Sequence, residues 1–243
     1  MTGKAYIGTS GWNYTQWKDG FYAGVPRKDW LRYNASRFSG LEINASFYRL
    51  PSRDITERWY TQTPEDFCFA AKGHRFITHN KKLADSIAPL KRQRGGLAGL
   101  KHKLAVMLWQ LPRQSKKNLQ RLQDFARALE SWPQVRHVLE FRNPSWFDDE
   151  VAGCLTHHRL AVSLSDAADW PLWERVTTDL VYVRLHGHSR TYASAYSAAA
   201  LDQWATRILS WLAEERDVHI YFDNDAEGAA PFDALKLMAR VKQ

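Results

Sequence analysis

His137-Val-Leu-Glu-Phe-Arg-Asn-Pro-Ser-Trp-Phe147 decides how the rest of the chain is read. Side chains alternate across a strand, so Val138, Glu140 and Arg142 share one face while Leu139 and Phe141 share the other. Two opposite charges therefore point where a core strand normally carries aliphatics. Asn143-Pro144 stops the strand, because proline lacks an N–H and restricts the residue before it. Glu140 and Arg142 are thus expected at a strand's C-terminal edge, beside a loop that carries Trp146.

Working outward, the same pattern recurs. Tyr6 to Trp12 reads as a short strand into a glycine turn. Gly40 to Tyr48 places Glu42 and Asn44 opposite Leu41 and Ile43. Phe67 to Lys72 ends in a charge, Leu104 to Pro112 closes on Gln110, and Leu160 to Asp166 ends in an acid. In Asp179 to Gly187, Val181, Val183 and Leu185 alternate with Tyr182, Arg184 and His186, and Val218 to Asp225 forms the last strand. Between the strands, helical spacing marks Arg27–Phe38, Pro51–Trp59 with Ser52 as N-cap, and Asn80–Gln93. The remaining helices are expected over Lys117–Trp132, Asp149–His157, part of Tyr192–Glu215, and Ala229–Val241.

Eight strands separated mostly by helices, none joined by a hairpin turn, predict a parallel sheet. In 243 residues with no linker-like stretch, a single (β/α)8 TIM barrel spanning 1–243 fits better than an open doubly wound sheet. Glu42, Asn44, Lys72, Gln110, Glu140, Arg142, Asp166, Arg184, His186 and Asn224 all fall late in their strands, at the rim where barrel active sites lie.

Hydrophobic content of 44% with 13% aromatics describes a folded protein. The opening residues hold no apolar run of signal-peptide length, and no segment approaches the ~20 apolar residues of a membrane span, so a cytoplasmic location and no membrane partner are expected. The two cysteines, Cys68 and Cys154, are read as reduced and structural. A formal charge of +8 favours anionic partners. Much of it clusters at Lys91, Arg92, Arg94, Lys101, His102 and Lys103, with Arg113, Lys116 and Lys117 following. A solvated surface is the preferred reading of this cluster, and a nucleic-acid patch the alternative, since no binding motif accompanies it.

Several of these stretches together resemble the YecE-like family, catalogued as domain of unknown function 72. They are Gly8-Thr-Ser-Gly-Trp12 with Trp17 and Phe21-Tyr22, then Leu41 to Pro51, Gln110-Leu-Pro112, Glu140-Phe-Arg142 with Ser145-Trp146, Arg184 to Gly187, and Tyr221 to Asn224. The resemblance implies one TIM barrel and supplies no established reaction. Ala23 stands where a proline often follows Phe-Tyr. Asp223 stands where an asparagine often precedes Asn224, so a role that needs a neutral amide is not carried over to that position.

The chemistry of the expected rim is that of an anion site with acids and bases beside it. Arg142, Arg184 and Lys72 can bind phosphate or carboxylate. Glu140, His186, Glu42 and Asp166 are the candidate acids and bases. Asn44, Gln110, Asn224, Trp12, Tyr48 and Trp146 are candidate pocket walls. Ion pairing of Glu140 with Arg142, or of Glu42 with Arg184, is the bland reading of the same residues. No metal or cofactor is called for: His186-Gly-His188 lacks companion ligands, and the glycines near Thr9-Ser10 fit no nucleotide-binding fingerprint. The expectation is a cofactor-independent hydrolase or lyase acting on an anionic small molecule. The alternatives are a glycoside hydrolase using Glu42 and Glu140 or Glu140 and Asp166, and a barrel that binds anions or nucleic acid without catalysis. Oligomeric state is left open.

Overall fold

The computed structural model describes residues 3–242. Eight strands form a closed barrel in sequence order: β1 Ala5–Ser10, β2 Gly40–Ile43, β3 Cys68–Lys72, β4 Leu104–Gln110, β5 Arg136–Glu140, β6 Ala161–Asp166, β7 Leu180–Leu185 and β8 Asp217–Phe222. Every pairing is parallel, and β8 closes on β1. The helices are α1 Trp30–Arg37, α2 Ala45–Tyr48, α3 Arg53–Thr61, α4 Ile87–Leu97, α5 Leu119–Leu129, α6 Asp149–His157, α7 Ala198–Ala213 and α8 Ala230–Val241. The chain is a TIM barrel with one irregularity: the connection from β6 to β7, residues 167–179, contains no helix.

Local chemistry accounts for most boundaries. Ser52 caps α3 by accepting from the Ile55 N–H, Asn118 caps α5 through Arg121, and Asp148 caps α6 through Val151. The strand expected to run to Tyr48 ends at Ile43, because Ala45–Tyr48 coil into one helical turn. The helix expected over Asn80–Gln93 starts later, at Ile87, and runs through Gly95-Gly96. Gly96 is needed there: a β-carbon would lie 2.6 Å from the Pro51 carbonyl oxygen.

Strand alternation sorts side chains into two layers. Leu41, Ile43, Met107, Trp109, Leu139 and Val162 face outward against the helices, as do Ile7, Val183, Leu185, Ile220 and Phe222 on the other side. The inward positions hold Ala70, Val106, Leu108, Val138, Ala161, Tyr182 and Tyr221, which fill the barrel's middle. The tyrosines fit because β1 and β2 turn glycines inward. A β-carbon on Gly40 would stand 3.1 Å from the Tyr221 hydroxyl, and one on Gly8 only 1.9 Å from the Gly40 carbonyl oxygen. Gly8→Ala should therefore cost about 3 kcal/mol through overpacking, read as a lower urea midpoint. An unchanged midpoint would show that β1 and β2 can move apart freely.

A candidate active site at the barrel mouth

Above the tyrosine layer the inward positions become polar, and they converge on Arg184. Its side chain is completely buried. Nε and Nη2 hold the Glu42 carboxylate at 2.9 and 2.7 Å, Nη1 donates to Glu140 at 3.0 Å, and Nη2 donates to Asp223 at 3.0 Å. Nη1 also donates to the His186 ring at 3.2 Å. All five N–H groups of the guanidinium are thereby directed at protein acceptors. Arg184 joins β2, β5, β7 and β8 and has no donor to offer a ligand, which corrects its expected role as an anion binder.

The same geometry removes Glu42 and His186 from the proton-transfer roles expected of them. Glu42 also accepts from the Tyr182 hydroxyl at 2.6 Å and from Ser10 Oγ. Because arginine can only donate, His186 Nε2 must accept, and the ring's proton lies on Nδ1, which sits 2.9 Å from Asp223 Oδ2. Burial, then Arg184, lowers the His186 pKa. It is a neutral spacer inside a charge cluster.

Glu140 is shared between two guanidinium groups. Burial alone would raise its pKa, but Arg142 and Arg184, with Lys72 further off, outweigh burial and hold the carboxyl well below the usual range. Asp223 is held low in the same way by Arg184 and His186. Neither carboxyl carries a proton at neutral pH, so neither is a general acid.

Arg142 differs from Arg184. It lies just past the end of β5, 13% exposed, with Nε donating to Glu140 at 2.7 Å and Nη1 to the Tyr192 hydroxyl at 2.9 Å. Its guanidinium stacks 4.2 Å from the Trp170 ring centre. Nη2 has no acceptor among the described residues. Lys72, at the inward end of β3, is likewise uncommitted: its amine packs 4.5 Å from the Phe47 ring centre and has no hydrogen-bond acceptor or ion-pair partner among the described residues. Burial and then Arg184 lower its pKa to about 8.

The other expected site residues divide. Asn44 joins the cluster, donating to Ser10 Oγ at 2.6 Å and reaching Asp223 at 3.4 Å. Gln110 points inward beside Glu140 in register, with its amide turned to the Leu111 carbonyl. Tyr48 is 69% exposed on α2. Asp166 has the opposite parity from inward Ser165 and accepts from the Tyr196 hydroxyl, so it stands outside the cluster. Asn224 is also turned outward, donating to the Ser194 carbonyl and to Asp233, and it fastens α8 to the loop after β7. Trp146 is core: it stacks on Phe141 at 4.6 Å and donates to the Ser115 carbonyl. Trp12 packs edge-on against Trp59, between barrel and helices.

Four residues at the mouth are not among the expected site residues. Asp223 is the third carboxylate on Arg184. Asp225, on the turn after β8, has its pKa raised to about 7 by burial and by Asp223. Tyr192 arrives on the loop after β7. His79 follows β3 on a π-helical turn, Phe76–Asn80, against the Phe47 ring that Lys72 also touches. Burial and Lys72 lower the His79 pKa to about 4, leaving a neutral imidazole. Among the described residues no group of three or more His, Cys, Asp or Glu could hold a metal ion.

The basic surface stretch is less available than its sequence suggests. Lys103 is buried, donating to the Tyr60 and Thr63 carbonyls. Lys117 bridges Asp148 and Glu150. Arg113 lies 3.8 Å from Asp169. No helix among the described residues is long and apolar enough to cross a membrane.

Comparison with known proteins agrees with this architecture. The chain is 24% identical to the UPF0759 protein YunF of Bacillus subtilis over 96% of its own length and 93% of that protein's. A DUF72 family protein from Thermotoga maritima superposes with a TM-score of 0.88 at 24% identity, covering 99% of this chain and all of that one. One from Enterococcus faecalis gives 0.84 at 17% identity, over 98% and 96%. The family model "Protein of unknown function DUF72" matches residues 6–243, and the chain belongs to that family.

Proposed function

We propose that the barrel mouth is the active site of a cofactor-independent lyase or hydrolase acting on a small anionic molecule. The observation that carries this reading is the unspent edge of Arg142. Its guanidinium is fixed on three sides, by Glu140, Tyr192 and Trp170, while Nη2 is left without an acceptor. Holding it rigid removes most of the ordering cost of binding a carboxylate or phosphate.

Net charge does not attract the anion here. Arg184, Arg142 and Lys72 balance Glu42, Glu140 and Asp223. Depth separates them: the carboxylates are spent on Arg184 at the bottom, and the uncommitted donors of Arg142 and Lys72 stand above. A ligand's anion would meet those donors; Asp225, raised to about 7, would carry protons near neutral pH, and His79, lowered to about 4, would stand by as a neutral imidazole on the Phe47 ring that Lys72 also touches.

The same geometry opposes the glycoside hydrolase reading. That mechanism needs two carboxyls flanking a sugar, one of them protonated. Glu42 and Glu140 instead close on a single guanidinium.

Isothermal titration with inorganic phosphate, sugar phosphates and small carboxylates tests the proposal. At least one class should bind, and Arg142→Ala should weaken it tenfold or more at a temperature where both proteins are folded. Equal affinity in Arg142→Ala would refute the assignment. Binding of RNA or DNA that falls steeply with salt, without any small anion, would favour the basic surface instead.

A further inference from the structure

We propose that Lys72 is a covalent nucleophile, and that the substrates of this site are aldehydes or ketones bearing a phosphate or carboxylate group. The inference rests on the reading of the mouth given above, and it narrows the substrate class. A lysine that serves only as a positive charge is normally found on a carboxylate, and three carboxylates lie in this cluster. All three are occupied by Arg184, with Arg142 also on Glu140. Lys72 is left on an aromatic face at the C-terminal end of β3, where barrel catalytic residues project.

Burial, and then the neighbouring Arg184, disfavour its ammonium form and bring its pKa to about 8, so a useful fraction is free amine at neutral pH. His79, on the same Phe47 ring, is a neutral base with Nδ1 bonded to Thr78. The Arg142 edge supplies the complementary half of the site.

The chemistry balances without any external oxidant or reductant. The neutral amine attacks the carbonyl carbon, forming a C–N bond while the carbonyl π electrons move to oxygen. The oxygen takes a proton and the nitrogen loses one, giving a carbinolamine. A further proton releases the hydroxyl as water and leaves a protonated imine. That cation can accept the electron pair of a C–H bond on the neighbouring carbon, whose proton passes to a base, or of a C–C bond on that carbon, whose far fragment leaves as an aldehyde as its hydroxyl gives up a proton. After the resulting enamine is protonated, water hydrolyses the imine, releasing the carbonyl product and the amine.

Formaldehyde is the smallest carbonyl and reaches any free amine, so it removes the question of the right substrate. The full-length protein would be treated with formaldehyde and cyanoborohydride at neutral pH, and methylation of each lysine followed by peptide mass spectrometry. Lys72 should be methylated at least tenfold faster than the exposed lysines, since a pKa near 8 in place of about 10.4 raises the free-amine fraction far more than it lowers nucleophilicity. Methylation no faster than that of exposed lysines overturns the proposal.

Adding inorganic phosphate separates the two assignments. Protection of Lys72 that disappears in Arg142→Ala supports both. Fast methylation without protection keeps the nucleophile and refutes the anion site. A second arm uses borohydride with pyruvate or glyceraldehyde 3-phosphate: a reduced adduct on Lys72, absent from Lys72→Arg, supports the proposal. Adducts spread over surface lysines at equal yield in Lys72→Arg count against it.

Discussion

Arg184→Met should destabilise the barrel by at least about 5 kcal/mol, enough to leave most of the protein unfolded in water if its stability is ordinary. Removing one partner of a buried ion pair strands one charge. Here a single change strands three, on Glu42, Glu140 and Asp223, inside a cluster that contains little water-accessible surface. Lysine would do poorly in the same place, because an ammonium offers three donors from one point and cannot span Glu42, Glu140 and Asp223. Two further results distinguish this account from loss of packing. The deficit of Arg184→Met should shrink as pH falls, because the stranded carboxyls then protonate. Adding Glu42→Gln, Glu140→Gln and Asp223→Asn should recover part of the loss. Urea unfolding of the variant with wild-type stability would remove Arg184 from its central position.

Mild acid should have an effect of similar size. His137 and His219 are both buried, and burial brings their pKa values to about 4 and about 3. A histidine with a lowered folded pKa stabilises the fold fully above its unfolded value near 6.5, and that contribution is lost as pH falls toward the folded value. Between about pH 8 and about pH 5, each should cost about 2 kcal/mol. The structure shows why His137 resists protonation. Trp109 donates to its Nδ1 at 3.2 Å, so Nε2 carries the proton and gives it to the Trp132 carbonyl at 3.0 Å. A second proton would have to replace the Trp109 bond. His219 lies inside the barrel, 3.0 Å from the Tyr221 hydroxyl. Asp225 works in the opposite direction: its raised pKa favours the fold below about 4 and loses that contribution as pH rises through about 7, so it offsets part of the fall. Urea midpoints at the two pH values should differ markedly in the wild type and much less in His137→Gln/His219→Gln. A double variant with the wild-type slope would place the acid sensitivity elsewhere.

The barrel was legible because strand alternation and proline stops survive in the sequence without help from tertiary structure. Alternation also carried part of the site: Glu42 and Glu140 on one side, and Tyr182, Arg184 and His186 on the other, all proved inward. Asp166 and Asn224 stand late in their expected strands but on the outward parity, so position along the strand points to them wrongly. Parity would have selected Ser165 and Asp223. Trp146 follows the central strand closely enough to look like a pocket wall, yet its ring is drawn into the core by Phe141. Tyr192 and His79 lie on loops whose course depends on contacts from distant elements, and no local pattern encodes those. Nor could any pattern show which cation is spent. Arg184 and Arg142 read alike in sequence and differ only in how many acceptors surround each.

The buried charge cluster also constrains the order in which the chain can assemble. Arg184 draws its partners from positions as far away as Glu42, 142 residues earlier, and Asp223, 39 residues later. Until β1, β2, β5, β7 and β8 have met, burying this arginine is uphill, so partial barrels gain little from early closure. A chain cut between β4 and β5 would strand Glu42 in one fragment, while Arg184 in the other would keep Glu140 and Asp223 but lose the carboxylate that its Nε and Nη2 hold. Folding is therefore tied to completion of the ring: the last strand to dock neutralises charges carried by the first ones made.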